Sequence, residues 1–372
     1  MGILIAAAGL GLGGLIAVRS VRRAPAAPPL DPARKARRDA LLRSGERLIR
    51  EGDLDAAIAA LSEAREIDPD DARISRHLAA AERKGLHLRK AGEILDDALA
   101  RRPDDPDLHL ERAALLDQLG NLAAAAADCE AVLRSRPDDG GARLELGIIR
   151  LKEGRSGEAA ASARRAIELG AGGARAQLLL GAASEAGGDL ETAERAFRRS
   201  LDLDPSILEA RHRLGQILVR TGRRDEGEAE LRRGRRIAEQ LQEIERLEAS
   251  VASKQTSRRA EGSPGRMMDF AEELLGAYVG AFRFAEAEGR IRLAAEYRPL
   301  DEGFSFLLGV VLAGQGREEE ARAALREAAD RFPGSERIRR AASLMEGRAR
   351  KEIAERETPA VLVETLLEKE SP

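Results

Sequence analysis

GDLDAAIAALSEAREIDP, residues Gly52 to Pro69, carries four landmarks that return along the chain. Gly52 ends one helix, Ala57 is small enough to let a second helix cross the first closely, Leu61 fills the core between them, and Pro69 stops the second helix and fixes the turn that follows. The small residue comes back as Ala91, Ala125, Ala159, Ala193 and Gly227, each 34 residues after the last, and after a 26-residue insertion as Ala287 and Ala321. Twelve residues before each stands Gly45, Ala79, Ala113, Gly147, Gly181, Gly215, Leu275 or Gly309. Twelve residues after each stands Pro69, Pro103, Pro137, Ala171, Pro205, Glu239, Pro299 or Pro333. The core slot runs Leu61, Leu95, Cys129, Ala163, Phe197, Leu231, Ile291, Leu325, so Cys129 reads as a core residue standing in for leucine.

A unit of two short amphipathic helices cannot bury its apolar faces alone, so consecutive units must stack. Stacking also explains how 372 residues fold with 34% charged and only 2% aromatic side chains. The 34-residue period, with its small and proline positions, resembles the tetratricopeptide repeat family. The match covers residues 38–241 as six contiguous units and 268–335 as two more. The family's aromatic positions are aliphatic or polar here, and units two and seven are degenerate in their first helix. The resemblance implies an all-α, right-handed α-solenoid of antiparallel helix pairs with a concave peptide-binding groove.

Composition excludes several classes. A net charge of −3 gives no basic field for nucleic acid. One cysteine rules out an internal disulfide and a CxxC metal site. The four histidines, His77, His87, His109 and His212, form no i, i+4 pair and read as solvated surface residues. No HExxH, GxSxG or GxxxxGK[ST] occurs. Cofactor, metal and small-molecule substrate are therefore expected to be absent.

The N-terminal ILIAAAGLGLGGLIAVRSVRR (Ile3–Arg23) contains Gly9, Gly11 and Gly14 in a GxGxxG spacing. A dinucleotide site would need a second parallel strand next; the segment holding Asp31 instead carries Pro25, Pro28, Pro29 and Pro32, which cannot join a sheet ladder. A membrane anchor fits better. Gly2–Val18 has no charge, no Lys or Arg precedes it, and eight basic residues from Arg19 to Arg43 follow, which keeps the repeats in the cytoplasm. A cleaved signal and a buried apolar helix are the alternatives. Gly9, Gly13 and Ala17 form a small-xxx-small stripe suited to pairing of two spanning helices, although small residues are common in membrane spans generally.

The expected organisation is an anchor and basic flank over 1–23, a Pro-rich linker over 24–37, six units over 38–241, a helix extension and linker over 242–267, two units over 268–335, and a cap with an apolar tail over 336–372. Ile237, Leu241, Ile244, Leu247 and Val251 make a narrow seam, read as folding back on the solenoid or as a coiled coil. Ala252–Gly265 reads as a flexible linker, and Val361–Leu367 as a tail docked on the solenoid. In layout the chain is similar to the lipopolysaccharide assembly protein B family of bacteria, a short anchor followed by cytoplasmic repeats at the inner membrane. That family's rubredoxin-like end with paired CxxC motifs has no counterpart here.

The resemblance assigns positions 2, 5, 9, 12 and 13 of each first helix to the groove. These are Arg73, Arg76, Arg83 and Lys84 in the second unit, Leu144, Ile148 and Leu151 in the fourth, and Leu178 in the fifth. A basic stretch and an apolar stretch suit a segment with acidic residues leading into aliphatic ones. The alternative is that the leucines and isoleucine only pack between helices and the arginines are solvated. A carboxylate clamp depends on asparagines, and the chain has only Asn121. The functional expectation is a membrane-tethered scaffold binding a protein or peptide; a self-assembling scaffold is the second reading, and an enzyme the third.

Overall fold

Aspartates start seven of the helices. In the computed structural model, which describes residues 30–257, 274–297, 301–350 and 359–367, the side chains of Asp31, Asp53, Asp71, Asp105, Asp139, Asp189 and Asp301 each accept a backbone N–H in the first turn of the helix that follows. All regular structure among the described residues is α-helical, and no helix there is long and apolar enough to cross a membrane. Residues 1–23, and with them Gly9, Gly13 and Ala17, lie outside the described residues.

The described residues form two compact segments, divided between Pro137 and Asp138. The first holds α1 (Pro32–Glu51), α2 (Leu54–Ile67), α3 (Ala72–Lys84), α4 (Leu88–Arg101), α5 (Pro106–Gln118) and α6 (Leu122–Ser135). The helices pack in sequence order, α1 on α2, α2 on α3, and on to α6, around a core that includes Leu61, Ile74, Leu78, Leu95 and Leu108. The last residues expected to be linker, Pro32 onward, belong to α1: Asp31 caps it and Pro32 sits in its first turn, where the missing N–H costs nothing.

The second segment holds α7 (Gly140–Lys152), α8 (Ser156–Glu168), α9 (Gly173–Ala186), α10 (Leu190–Leu203), α11 (Leu208–Arg220), α12 (Arg224–Ser257), α13 (residues 274–280), α14 (Phe284–Tyr297), α15 (Glu302–Gly314), α16 (Glu318–Arg331), α17 (Glu336–Arg350) and α18 (Pro359–Leu367). With no proline at position 239, α12 runs on for 34 residues. It passes the Ala252 start of the expected linker and ends at Ser257. Its seam is used within the chain: Ile244 and Leu247 are buried in one cluster with Tyr278, Phe304, Val310 and Ile338, and Tyr278 donates to Glu248.

Small residues do what their spacing implies. A methyl group on Gly181 would stand 2.6 Å from two ring carbons of Phe197, and one on Gly309 would stand 2.3 Å from Leu325 Cγ. At these crossings the backbone of the first helix therefore packs directly against a side chain of the second. The turn between them needs a left-handed residue, supplied by Gly52, Gly120, Gly154, Gly188, Gly222 and Gly316 at φ between 75° and 87°. The same register in the second and seventh repeats is occupied by Leu86 and Phe282, held at φ 63° and 60°.

Candidate binding surfaces

Each first helix presents residues toward its neighbours and toward solvent, and charge pairing between neighbours decides what remains for a partner. In the first segment Arg73 turns back to its own helix cap, with Nη2 2.7 Å from Asp71 Oδ2. Arg76 Nη2 lies 3.0 Å from His77 Nε2. Arg83 Nε donates to Glu111 Oε1 of α5 across 2.8 Å, and both side chains are largely covered. Lys84 is exposed. Burial pushes the Glu111 carboxyl up, and the charges of Arg83, Arg76 and Lys84 oppose that rise. One cation pairs with this carboxylate and two more act on it through charge. Arg73 stands apart from them, neutralised by Asp71. A cavity of about 380 Å³ beside Arg73 and Arg76 is lined by four arginines and five aspartates, so it carries no positive excess.

The apolar positions lie in the second segment. Leu144 is only 5% exposed and packs with Ala163, Ala166, Ala176 and Leu179, so it contributes packing rather than open surface. Ile148, Leu151 and Leu178 are half-buried. Leu151 joins them: it borders the cluster that Ile148 touches and the one that Leu178 touches. This strip of three is apolar and partly open.

The sequence reading missed how the repeats replace their absent aromatic residues. At position 4 of the third repeat, His109 Nδ1 lies 2.7 Å from Asp128 Oδ1, and its Nε2 lies 2.8 Å from the carbonyl oxygen of Pro103. Arg112 adds two 2.7 Å hydrogen bonds to the same carboxylate. At position 4 of the sixth repeat, Arg211 donates to Glu230 across 2.7 Å and to the carbonyl of Pro205 across 3.0 Å. In both cases a cation or imidazole ties the second helix of its own repeat to the closing proline of the one before. His109 is therefore a structural residue and not the solvated one its isolation in sequence implied. His87 is exposed, as expected, and meets buried Glu82 at 2.7 Å. Among the described residues no group of three or more metal-ligating side chains comes together.

Two further contacts repeat with the period. Glu194 accepts from Arg223, and Glu288 accepts from Arg317 across 2.8 Å, both linking a second helix to the start of the next. Burial pushes the Glu288 carboxyl up, but hydrogen bonds from Arg317, Gln315 and Arg292 outweigh it and hold the group at about 2.

Comparison with known proteins follows this architecture. One family model described as tetratricopeptide repeat matches residues 48–115, and a second with the same description matches 144–206, 186–240 and 277–336. Among solved structures the chain is similar to PilF of Pseudomonas aeruginosa (16% identity, 53% of this chain and 90% of that one, TM-score 0.49). It is also similar to MamA of Desulfovibrio magneticus (23%, 44% and 93%, 0.41) and to TTC0263 of Thermus thermophilus (23%, 49% and 99%, 0.43). No curated protein sequence matches it. On the family models, which together span more than half of its length, the chain belongs to the tetratricopeptide repeat family.

Proposed function

We propose that this repeat protein is a membrane-tethered adaptor that captures a segment of a partner protein rather than acting on a substrate. The observation that carries the reading is the cluster around Glu111. Arg83 pairs with that carboxylate, the charges of Arg76 and Lys84 also act on it, and half-buried Arg76 and exposed Lys84 remain on the face of α3 for a ligand. That face suits acidic residues of a ligand. In the second segment, taken by itself, the half-buried strip of Ile148, Leu151 and Leu178 suits an aliphatic side chain of a partner. Tethering is supported by the uncharged Gly2–Val18 stretch with its basic flank, which orients the repeats to the cytoplasm.

Crosslinking in membranes, followed by identification of the captured protein, tests the reading. Arg83 is unsuitable for charge reversal because its loss would strand Glu111. Arg76→Glu with Lys84→Glu should weaken capture and flatten its salt dependence. Ile148→Asp should abolish capture with helicity unchanged. If capture survives all three substitutions, binding lies elsewhere. If the only crosslinked species is a second copy of the chain, the self-assembling reading replaces this one. A periplasm-active reporter fused after Pro372 should stay silent, and activity from it would reverse the orientation.

A further inference from the structure

The register that is open in the second repeat is closed in the eighth. Arg73 and Lys84 are exposed and Arg76 and Arg83 half-buried, whereas Gly303, Phe306 and Ala313, the counterparts of the three arginines in α15, are buried. Neighbouring repeats alone do not account for this. α15 packs on α14 and α16 as any first helix does, and in addition α18 lies against it. Leu362, Val363 and Leu366 of α18 are 4%, 1% and 7% exposed and share one cluster with Phe306, Val310 and Val311. The stacking role at this end is already filled by α17, whose Ile338, Ala341 and Met345 cover the last repeat. α18 is therefore surplus to the cap. Its three buried side chains fall at i, i+1 and i+4, one face of a helix, and its nine residues are fewer than a helix needs to hold its shape alone.

We infer that the face of α15 is a binding site for a short helix with apolar residues at i, i+1 and i+4, and that α18 is its resident intramolecular ligand. A partner protein offering the same pattern competes with α18 for the site. This site is independent of the one proposed around Glu111. Eight residues, 351–358, join α17 to α18, and so short a connection keeps the resident helix at an effective concentration in the millimolar range. With an intrinsic dissociation constant near 10 μM for α18 itself, a free competitor would then see its apparent affinity fall roughly 100-fold.

The probe is a fluorescent peptide of residues 357–372 added to the full chain and followed by anisotropy. The wild-type chain should bind it weakly. A chain carrying Val363→Asp and Leu366→Asp should vacate the site and bind roughly 100-fold tighter, while a peptide with the same two substitutions should not bind it. Equal binding by both chains, or none by a variant of native helicity, overturns the inference. Hydrogen exchange on the wild-type chain supplies a second criterion. The α18 amides should exchange well before those of α15 and α16. If they exchange only together, α18 is core rather than ligand and the inference fails, as it does if the double variant loses protection in α15.

Discussion

Gly309→Ala and Gly289→Ala are the same chemical change in two helix interiors, and the structure predicts opposite signs. Alanine is the better helix former by about 1 kcal/mol. At Gly289 in α14 a methyl group would meet nothing within 4 Å, so that gain should appear whole. At Gly309 in α15 the methyl would lie 2.3 Å from Leu325 Cγ and 2.5 Å from Cδ2, more than 1 Å inside ordinary contact. Leu325 is fully buried in a close-packed core, which leaves it little room to shift. The helices must separate instead, and overpacking of this kind costs about 1–3 kcal/mol. The size of the overlap puts Gly309→Ala at the upper end, a net loss of about 1–2 kcal/mol after the propensity gain. Leu325→Ala alone should cost about 2–5 kcal/mol through the cavity it leaves. In that background Gly309→Ala should become stabilising, because the added methyl then enters empty space. Repeats open locally, so hydrogen exchange of the α15 and α16 amides is the assay, with urea denaturation as a check. Equal gains from Gly289→Ala and Gly309→Ala would refute the close crossing, and additive effects of Gly309→Ala and Leu325→Ala would refute the pairing.

Leu86→Gly should stabilise the first segment by about 0.5 kcal/mol, since a left-handed leucine costs about 1–2 kcal/mol and the added chain entropy of glycine offsets part of the gain. Its side chain is 73% exposed, so little packing is lost. Gly120→Leu in the matching turn should destabilise, and urea melts of the two variants decide it. Glu230→Leu should cost about 3–5 kcal/mol by leaving buried Arg211 without its carboxylate, whereas Arg211→Met with Glu230→Leu should be near neutral; a single variant as mild as the double would show that the pair is not coupled. The Glu288 carboxyl sits below its ordinary value, so its contribution is complete above about pH 4.5 and is lost as pH falls toward 2. Protection of α14–α16 should fall by about 1–2 kcal/mol across that window after solvent screening. In Glu288→Gln the dependence should shrink, and an unchanged acid profile would remove Glu288 as its source.

The period was legible because its residues act through local chemistry. A glycine at a left-handed turn, a small residue at a crossing and a proline after a helix each have their reason within a few positions of themselves. Leu86 and Phe282 show that the turn geometry is set by the repeat and not by the residue: both adopt the glycine conformation where no glycine stands. The course of α12 was half legible. The missing proline at position 239 and the seam predicted its extension, but Ile244 and Leu247 could name their partners only once α13 and α15 were placed against them. The substitutes for aromatic packing were not legible at all, since His109 needs Asp128 and Pro103, and Arg211 needs Glu230 and Pro205.

The same limit governs the groove. Read along α3 alone, Arg73, Arg76, Arg83 and Lys84 make a strongly basic strip. Two of the four are cancelled by acids whose relevance depends on fold: Asp71 through the helix cap, and Glu111 through the stacking of α5 on α3. The slot that holds Arg83 with Glu111 recurs three repeats later with its polarity reversed, where Glu185 of α9 accepts from Arg213 of α11 across 2.9 Å. One position in the repeat thus carries a cation in one place and an anion in another, and each is answered 28 residues on. Groove charge is therefore a property of neighbouring repeats taken together. What a ligand would meet is the remainder after pairing: Arg76 and Lys84 near Glu111. That is why charge reversal at these two residues, rather than at the better-looking Arg83, separates binding from folding.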